Sequence, residues 1–155
     1  MPDNERDQIL LGLIKIESVL NRLYSRFSAQ KNFSPPVKRF WETIAHEEML
    51  HADTLSGIRR QVNDGGINID IDIKIEKLKE FITNLNVFIK KASTGSMSET
   101  EAYSLGAQIE ANLNESGFTK LIKTTDKKIL ELLKGIENDT KKHRVILVNY
   151  SRGIK

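Results

Sequence analysis

Glu48 and His51 stand three residues apart in the segment Phe40-Trp41-Glu42-Thr43-Ile44-Ala45-His46-Glu47-Glu48-Met49-Leu50-His51-Ala52. On a helix that spacing places a carboxylate and an imidazole side by side on one face. It is the arrangement by which one helix offers two ligands to one metal ion. Trp41, Ile44, Ala45, Leu55 and Ile58 share the face, so the pair falls on a stripe that packs inward. Glu17 falls likewise among Leu10, Leu13, Leu20, Tyr24 and Phe27, Glu110 among Tyr103, Gly106 and Leu113, and His143 among Ile129, Leu133, Ile136, Leu147 and Tyr150. A carboxylate buried without a partner is strongly destabilising, and such positions ordinarily hold leucine. Five ionisable side chains on four apolar stripes make sense if a cation neutralises them. Hard oxygen donors mixed with imidazole suit iron or manganese and admit zinc.

The same residues recur. Ile16-Glu17-Ser18-Val19-Leu20-Asn21 and Ile109-Glu110-Ala111-Asn112-Leu113-Asn114 share the pattern I-E-x-x-L-N at an offset of 93 positions. Ile44, His51 and Leu55 return as Ile136, His143 and Leu147 at an offset of 92. One unit, a Glu-bearing segment followed by a His-bearing segment, thus occurs twice, a layout that aims four helices at one shared site. Asn21 and Asn114 are candidates to orient the carboxylates from behind.

Periodicity supplies those helices. Steps of three and four run through Leu10 to Phe27 and again through Trp41 to Ile58, each one face of a helix. Pro35 and Pro36 are placed to open the second helix, and Asn63-Asp64-Gly65-Gly66 closes it. Ile67, Ile69, Ile71, Ile73 and Ile75 then alternate with polar residues, a strand period. This predicts an extended segment over 67–72, either a crossover pinned to the core by its isoleucines or an edge strand pairing with a second copy. A helical pattern returns from Ile73 to Ser93. Ser93-Thr94-Gly95-Ser96 reads as a linker, and Ser98-Glu99-Thr100-Glu101 as a capping box. The helix it opens has a stripe extending through Gly117 to Leu121. A last helix begins near Asp126. The expectation is an all-α fold: a single domain over residues 1–155, four long helices with one long crossover carrying an extra helix.

Composition narrows the chemistry. The 155 residues carry a net charge of +3, spread in both signs, with no basic block of the kind that binds nucleic acid or a membrane surface. The chain has no cysteine, which excludes disulfides, thiolate metal sites, iron–sulfur clusters and cysteine catalysis. No apolar run approaches the roughly 20 residues that span a bilayer. The first residues, Met1 to Asp7, lack a signal-peptide pattern, so a soluble cytoplasmic protein is expected, with neither nucleic acid nor membrane as a partner.

With these residues in place the chain resembles the rubrerythrin-type, ferritin-like di-iron carboxylate family over nearly its whole length, most closely in Phe40 to Ala52. The resemblance implies a ferritin-like four-helix bundle binding one or two iron ions. Glu17 would be the first-helix ligand, Glu48 a bridging carboxylate with His51 its partner, Glu110 the third-helix ligand and His143 the fourth-helix imidazole. Tyr24, two turns after Glu17, also fits. The implied activity is a non-haem oxidoreductase reducing peroxide or dioxygen, in a homodimer. One position departs from the pattern. The fourth helix should carry Glu three residues before His143, and Thr140 stands there. The 92-residue offset pairs Glu48 with Thr140 and Glu47 with Asp139. Asp139, four residues before His143, is the candidate replacement ligand. The absence of cysteine also removes the family's rubredoxin-like iron centre, so an enzyme of this kind needs a separate electron-donor protein. The alternatives are a non-enzymatic metal-binding protein with a mononuclear site and a scaffold whose former ligands form a polar core.

Overall fold

A computed structural model describes residues 2–93 and 97–153, and of residues 114–116 the backbone alone. Among the described residues five helices carry the fold: α1 (Asp3–Ser28), α2 (Pro35–Asn63), α3 (Ile75–Ser93), α4 (Glu99–Ser116) and α5 (Lys127–Ser151). Helices α1 with α2 and α4 with α5 form two pairs, and α3, at 19 residues slightly longer than the 18-residue α4, lies in the crossover between them.

Local chemistry sets the ends. Asp3 and Glu5 in the first turn of α1 and Arg26 in its last turn complement the helix dipole. Pro35 and Pro36 occupy the first positions of α2, where a missing N–H costs no helical hydrogen bond. The Ser98 hydroxyl caps α4 by accepting from the Glu101 amide at 3.1 Å, and the Asp126 carboxylate caps α5 by accepting from the Ile129 amide at 2.9 Å. Helix α4 is shorter than its apolar stripe suggests. Gly117 adopts a left-handed φ of +57°, its amide donates to the Leu113 carbonyl at 3.2 Å, and the helix stops there. The stripe residue Leu121 belongs instead to a 3-10 turn, Phe118–Leu121. Of the linker read from the sequence, residues 94–96 lie outside the described residues.

The alternating isoleucines have a local explanation. Two short strands, β1 (Asp70–Ile71) and β2 (Ile122–Lys123), pair antiparallel with Asp70 opposite Lys123 and Ile71 opposite Ile122. The Asp72 amide adds a bond to the Leu121 carbonyl at 2.9 Å, and the Thr124 hydroxyl donates to the Asn68 carbonyl at 3.0 Å. Ile69, Ile71 and Ile73 are buried. The extended segment is therefore a crossover fastened to the α4–α5 connection of its own chain, with its isoleucines in the core.

Helices α1 and α2, joined by the short connection 29–34, pack along their lengths, α4 packs on α5, and α3 covers α1. Arg59 on α2 grips Asp7 on α1 through two bonds of 2.6 and 3.0 Å. At one end of the core, Trp41 is fully buried beside Tyr24 and Phe27. Gly106 makes room for it: a Cβ there would lie 2.8 Å from Trp41 Cη2 and 3.2 Å from Leu147 Cδ1. Among the described residues no helix is long and apolar enough to cross a membrane.

Candidate metal centre

The apolar stripes of α1, α2, α4 and α5 deliver Glu17, Glu48, His51, Glu110 and His143 to one interior region, each no more than 7% exposed. They form two groups, Glu17–Glu48–His51 and Glu48–Glu110–His143, and within each group the ligand atoms lie within 4.8 Å of one another. Glu48 belongs to both. Its Oε2 is 3.5 Å from His51 Nδ1, and its Oε1 is 3.0 Å from His143 Nδ1. Glu17 Oε2 stands 3.6 Å from His51 Nδ1, and Glu110 Oε1 stands 3.7 Å from His143 Nδ1.

These atoms converge without satisfying one another. Glu17 Oε2, Glu48 Oε1, His51 Nδ1, Glu110 Oε2 and His143 Nδ1 are buried with no hydrogen-bond partner. Even the His143–Glu48 approach at 3.0 Å is out of line for a hydrogen bond. Buried polar atoms are ordinarily paired, and these five, unpaired and facing a common interior, are a donor set that could hold a metal ion. The mix of carboxylate and imidazole suits iron, manganese or zinc.

The far side of each imidazole is satisfied. His51 Nε2 bonds Asp139 Oδ2 at 2.9 Å, and His143 Nε2 bonds Glu47 Oε2. A carboxylate behind each ring accepts from Nε2–H, so that the Nδ1 lone pair faces inward once its proton leaves, as metal-binding histidines commonly require. Asp139 therefore sits at the rim of the centre, behind His51, outside both ligand groups. Glu47, given no role of its own from the sequence, plays the same part for His143. The signal was present in the repeat: Glu47 and Asp139 are equivalent under the 92-residue offset, and each supports the histidine of the other half.

The remaining residues are placed as follows. The Tyr24 hydroxyl donates to Glu110 Oε1 at 2.7 Å. Asn21 donates to the Ala45 carbonyl at 2.7 Å, tying α1 to the backbone of α2 instead of orienting a carboxylate. The side chain of Asn114 lies outside the described ones. Thr140 donates its hydroxyl to the Ile136 carbonyl at 3.0 Å and stays outside both groups. His46 is exposed. A narrow cavity of about 40 Å³ reaches Glu17 and Thr140 past Leu55 and Phe118, with Lys120 and Glu137 in its lining. It has room for a few molecules the size of water.

Electrostatics follow from burial and from these neighbours. Burial pulls the His51 imidazole down, but the Glu17 and Glu48 carboxylates outweigh it and lift its pKa to about 11. Against the same pull, Glu110 and Glu48 lift His143 to about 11. Burial works to raise Glu48, yet Glu17 and the two histidines hold it far below the usual carboxylate range. Burial first, and the Glu48 charge second, push Glu17 and Glu110 upward. Without metal, protons on the imidazoles thus supply the positive charge that the carboxylates demand. Those protons face the same carboxylates that a metal would use, so a divalent cation competes for the same place.

No family model matches the chain, and no curated protein or solved structure matches it.

Proposed function

We propose that this chain is a ferritin-like bundle of the rubrerythrin type that binds iron between Glu17, Glu48, His51, Glu110 and His143 and serves as a non-haem oxidoreductase for peroxide or dioxygen. The observation that carries the reading is the pair of buried groups sharing Glu48, with five unpaired polar atoms turned toward each other. Iron held there would supply the redox chemistry. The chain's own residues do the rest. Glu48, common to both groups, would be the bridging carboxylate. Asp139 and Glu47 fix the tautomer and tilt of the two imidazoles. Tyr24 restrains Glu110, and the cavity beside Glu17 and Thr140 admits a small oxidant. Electrons come from a separate donor protein, because a chain without cysteine builds no rubredoxin-like centre. A cytoplasmic homodimer belongs to the same reading.

Thr140 favours a second reading. Three carboxylates, Glu17, Glu48 and Glu110, carry three negative charges against the four positive charges of two divalent ions. A site short of one carboxylate binds its second ion more weakly, which suits a metal-binding protein with a single ion and no turnover. An anaerobic ferrous titration of the metal-free protein, followed by mixing with peroxide, separates the two. Uptake of about two ions per chain with fast oxidation supports the oxidoreductase. A single ion, or slow oxidation, supports the binding protein. Absence of binding, with no metal-dependent rise in melting temperature, defeats both and leaves a polar-cored scaffold.

A further inference from the structure

The chain contains three tyrosines and one tryptophan, and all four lie in one connected stack that ends at the metal centre. Tyr24 bonds Glu110 Oε1 at 2.7 Å. The Tyr24 and Trp41 ring centroids are 5.2 Å apart. From Trp41 two rings lead outward, Tyr103 at 5.7 Å, nearly parallel to it, and Phe40 at 5.2 Å. Both meet Tyr150, each at 5.1 Å. Tyr24 and Trp41 are fully buried, while Tyr150 is partly exposed. Each ring-to-ring step has centroids no more than 5.7 Å apart.

Trp41 has a second peculiarity. Its Nε1–H is buried without a hydrogen-bond partner, the one such side-chain atom among the described residues that lies outside the metal centre. A buried tryptophan kept only for packing normally finds an acceptor. With no base beside it, this indole keeps its proton when the ring is oxidised, so it gains and loses an electron without moving a proton.

We propose that this stack is an electron path between the surface at Tyr150 and the metal centre at Glu110; the proposal rests on the redox reading of that centre. Tyr24 gives one electron to the oxidised centre, and its phenol proton moves along the 2.7 Å bond to Glu110 Oε1. Trp41 returns an electron to the Tyr24 phenoxyl, which takes its proton back, and Trp41 is left as a radical cation with Nε1 still protonated. Tyr150 refills Trp41 across Tyr103 or Phe40, neither of which is oxidised, and releases its proton to water. A one-electron reductant in solution restores Tyr150, which regains a proton from water. The net change is one electron passed from that reductant to the centre, with every side chain returned to its starting state.

The test uses metal-free protein, so it does not depend on iron. A photoexcited ruthenium tris-bipyridine complex, with persulfate as electron acceptor, oxidises the surface, and radicals are frozen and read by electron paramagnetic resonance. The complex is too bulky to touch the buried Trp41 or Tyr24, so oxidation reaches them only through the stack. The wild type is expected to show a phenoxyl component that Tyr24→Phe removes. Trp41→Phe should lose that same component and keep a surface tyrosyl signal, whereas Tyr103→Phe, which keeps its ring, should retain it. If Trp41→Phe does not fold, Tyr150→Phe serves, since it keeps the outer ring and should also lose the Tyr24 component. Wild-type yield of the Tyr24 component in Trp41→Phe or Tyr150→Phe, or its absence from the wild type, overturns the path. Failure of the ferrous titration overturns the redox centre instead, and the two results are read separately.

Discussion

Replacing Asp139 with asparagine decides whether that residue binds metal or only supports a residue that does. Asp139 Oδ2 lies 2.9 Å from His51 Nε2, on the side of the ring opposite the centre. The asparagine amide keeps an oxygen able to accept from Nε2–H but loses the charge that strengthens the bond and makes Nδ1 a better donor. Losing such an outer partner typically weakens metal binding by about 10- to 100-fold, or about 1.4 to 2.8 kcal/mol. The Asp139 side chain is 42% exposed, so solvent already screens part of its charge, and the effect belongs near the lower end, about tenfold. Glu47→Gln should behave the same way toward the ion held by His143. Competition titrations with a chelator, run anaerobically with ferrous ion on each variant, measure the loss. If Asp139→Asn abolishes an ion outright, as removal of an anionic ligand does, the residue is itself a ligand. If affinity is unchanged, the hydrogen bond to His51 does nothing for the site. Either outcome refutes the reasoning.

Five further predictions rest on the same structure. Glu48→Gln should eliminate both ions in a ferrous titration, because Glu48 alone belongs to both groups; retention of one ion would show that the groups are independent. Thr140→Glu places a carboxylate at the cavity beside Glu17 and should tighten binding of the second ion, read as a gain in stoichiometry or affinity. With both imidazoles raised from 6.5 to about 11, each ion bound through a histidine displaces a proton, and apparent affinity should climb about tenfold per pH unit above neutrality. The same raised values mean that the folded, metal-free chain binds more protons than the unfolded one. Their stabilising contribution is complete below pH 6.5 and is lost as pH rises through about 11, so chemical denaturation of metal-free protein should show falling stability across that window. Gly106→Ala drives a methyl group to 2.8 Å from a fully buried Trp41 and should cost about 1 to 3 kcal/mol in a denaturant titration.

Much of this protein is legible from periodicity because its helices are amphipathic and its site residues lie on the inward faces. A three-and-four spacing identifies the face of a helix, so Glu17, Glu48, His51, Glu110 and His143 could be picked out wherever a leucine was expected. Helix ends were equally local: Pro35, Ser98 and Asp126 act on backbone groups within a few residues of themselves. What periodicity leaves open is which face meets which across the interior. Glu47 and Glu48 differ by one residue, about 100° around a helix, so Glu48 reads as core and Glu47 as solvent. Only the packing of α2 beside α5 brings Glu47 to His143 and Asp139 to His51, and turns Asp139 from a candidate ligand into the group behind one. The alternating isoleucines likewise specified an extended segment but not its partner, since Ile122 and Lys123 lie far along the chain from Asp70 and Ile71. The aromatic path is of the same kind: Tyr24, Trp41, Tyr103 and Tyr150 come from four different helices. A single helix states which side chains turn inward; the tertiary structure decides what they meet, because those contacts join residues far apart in sequence.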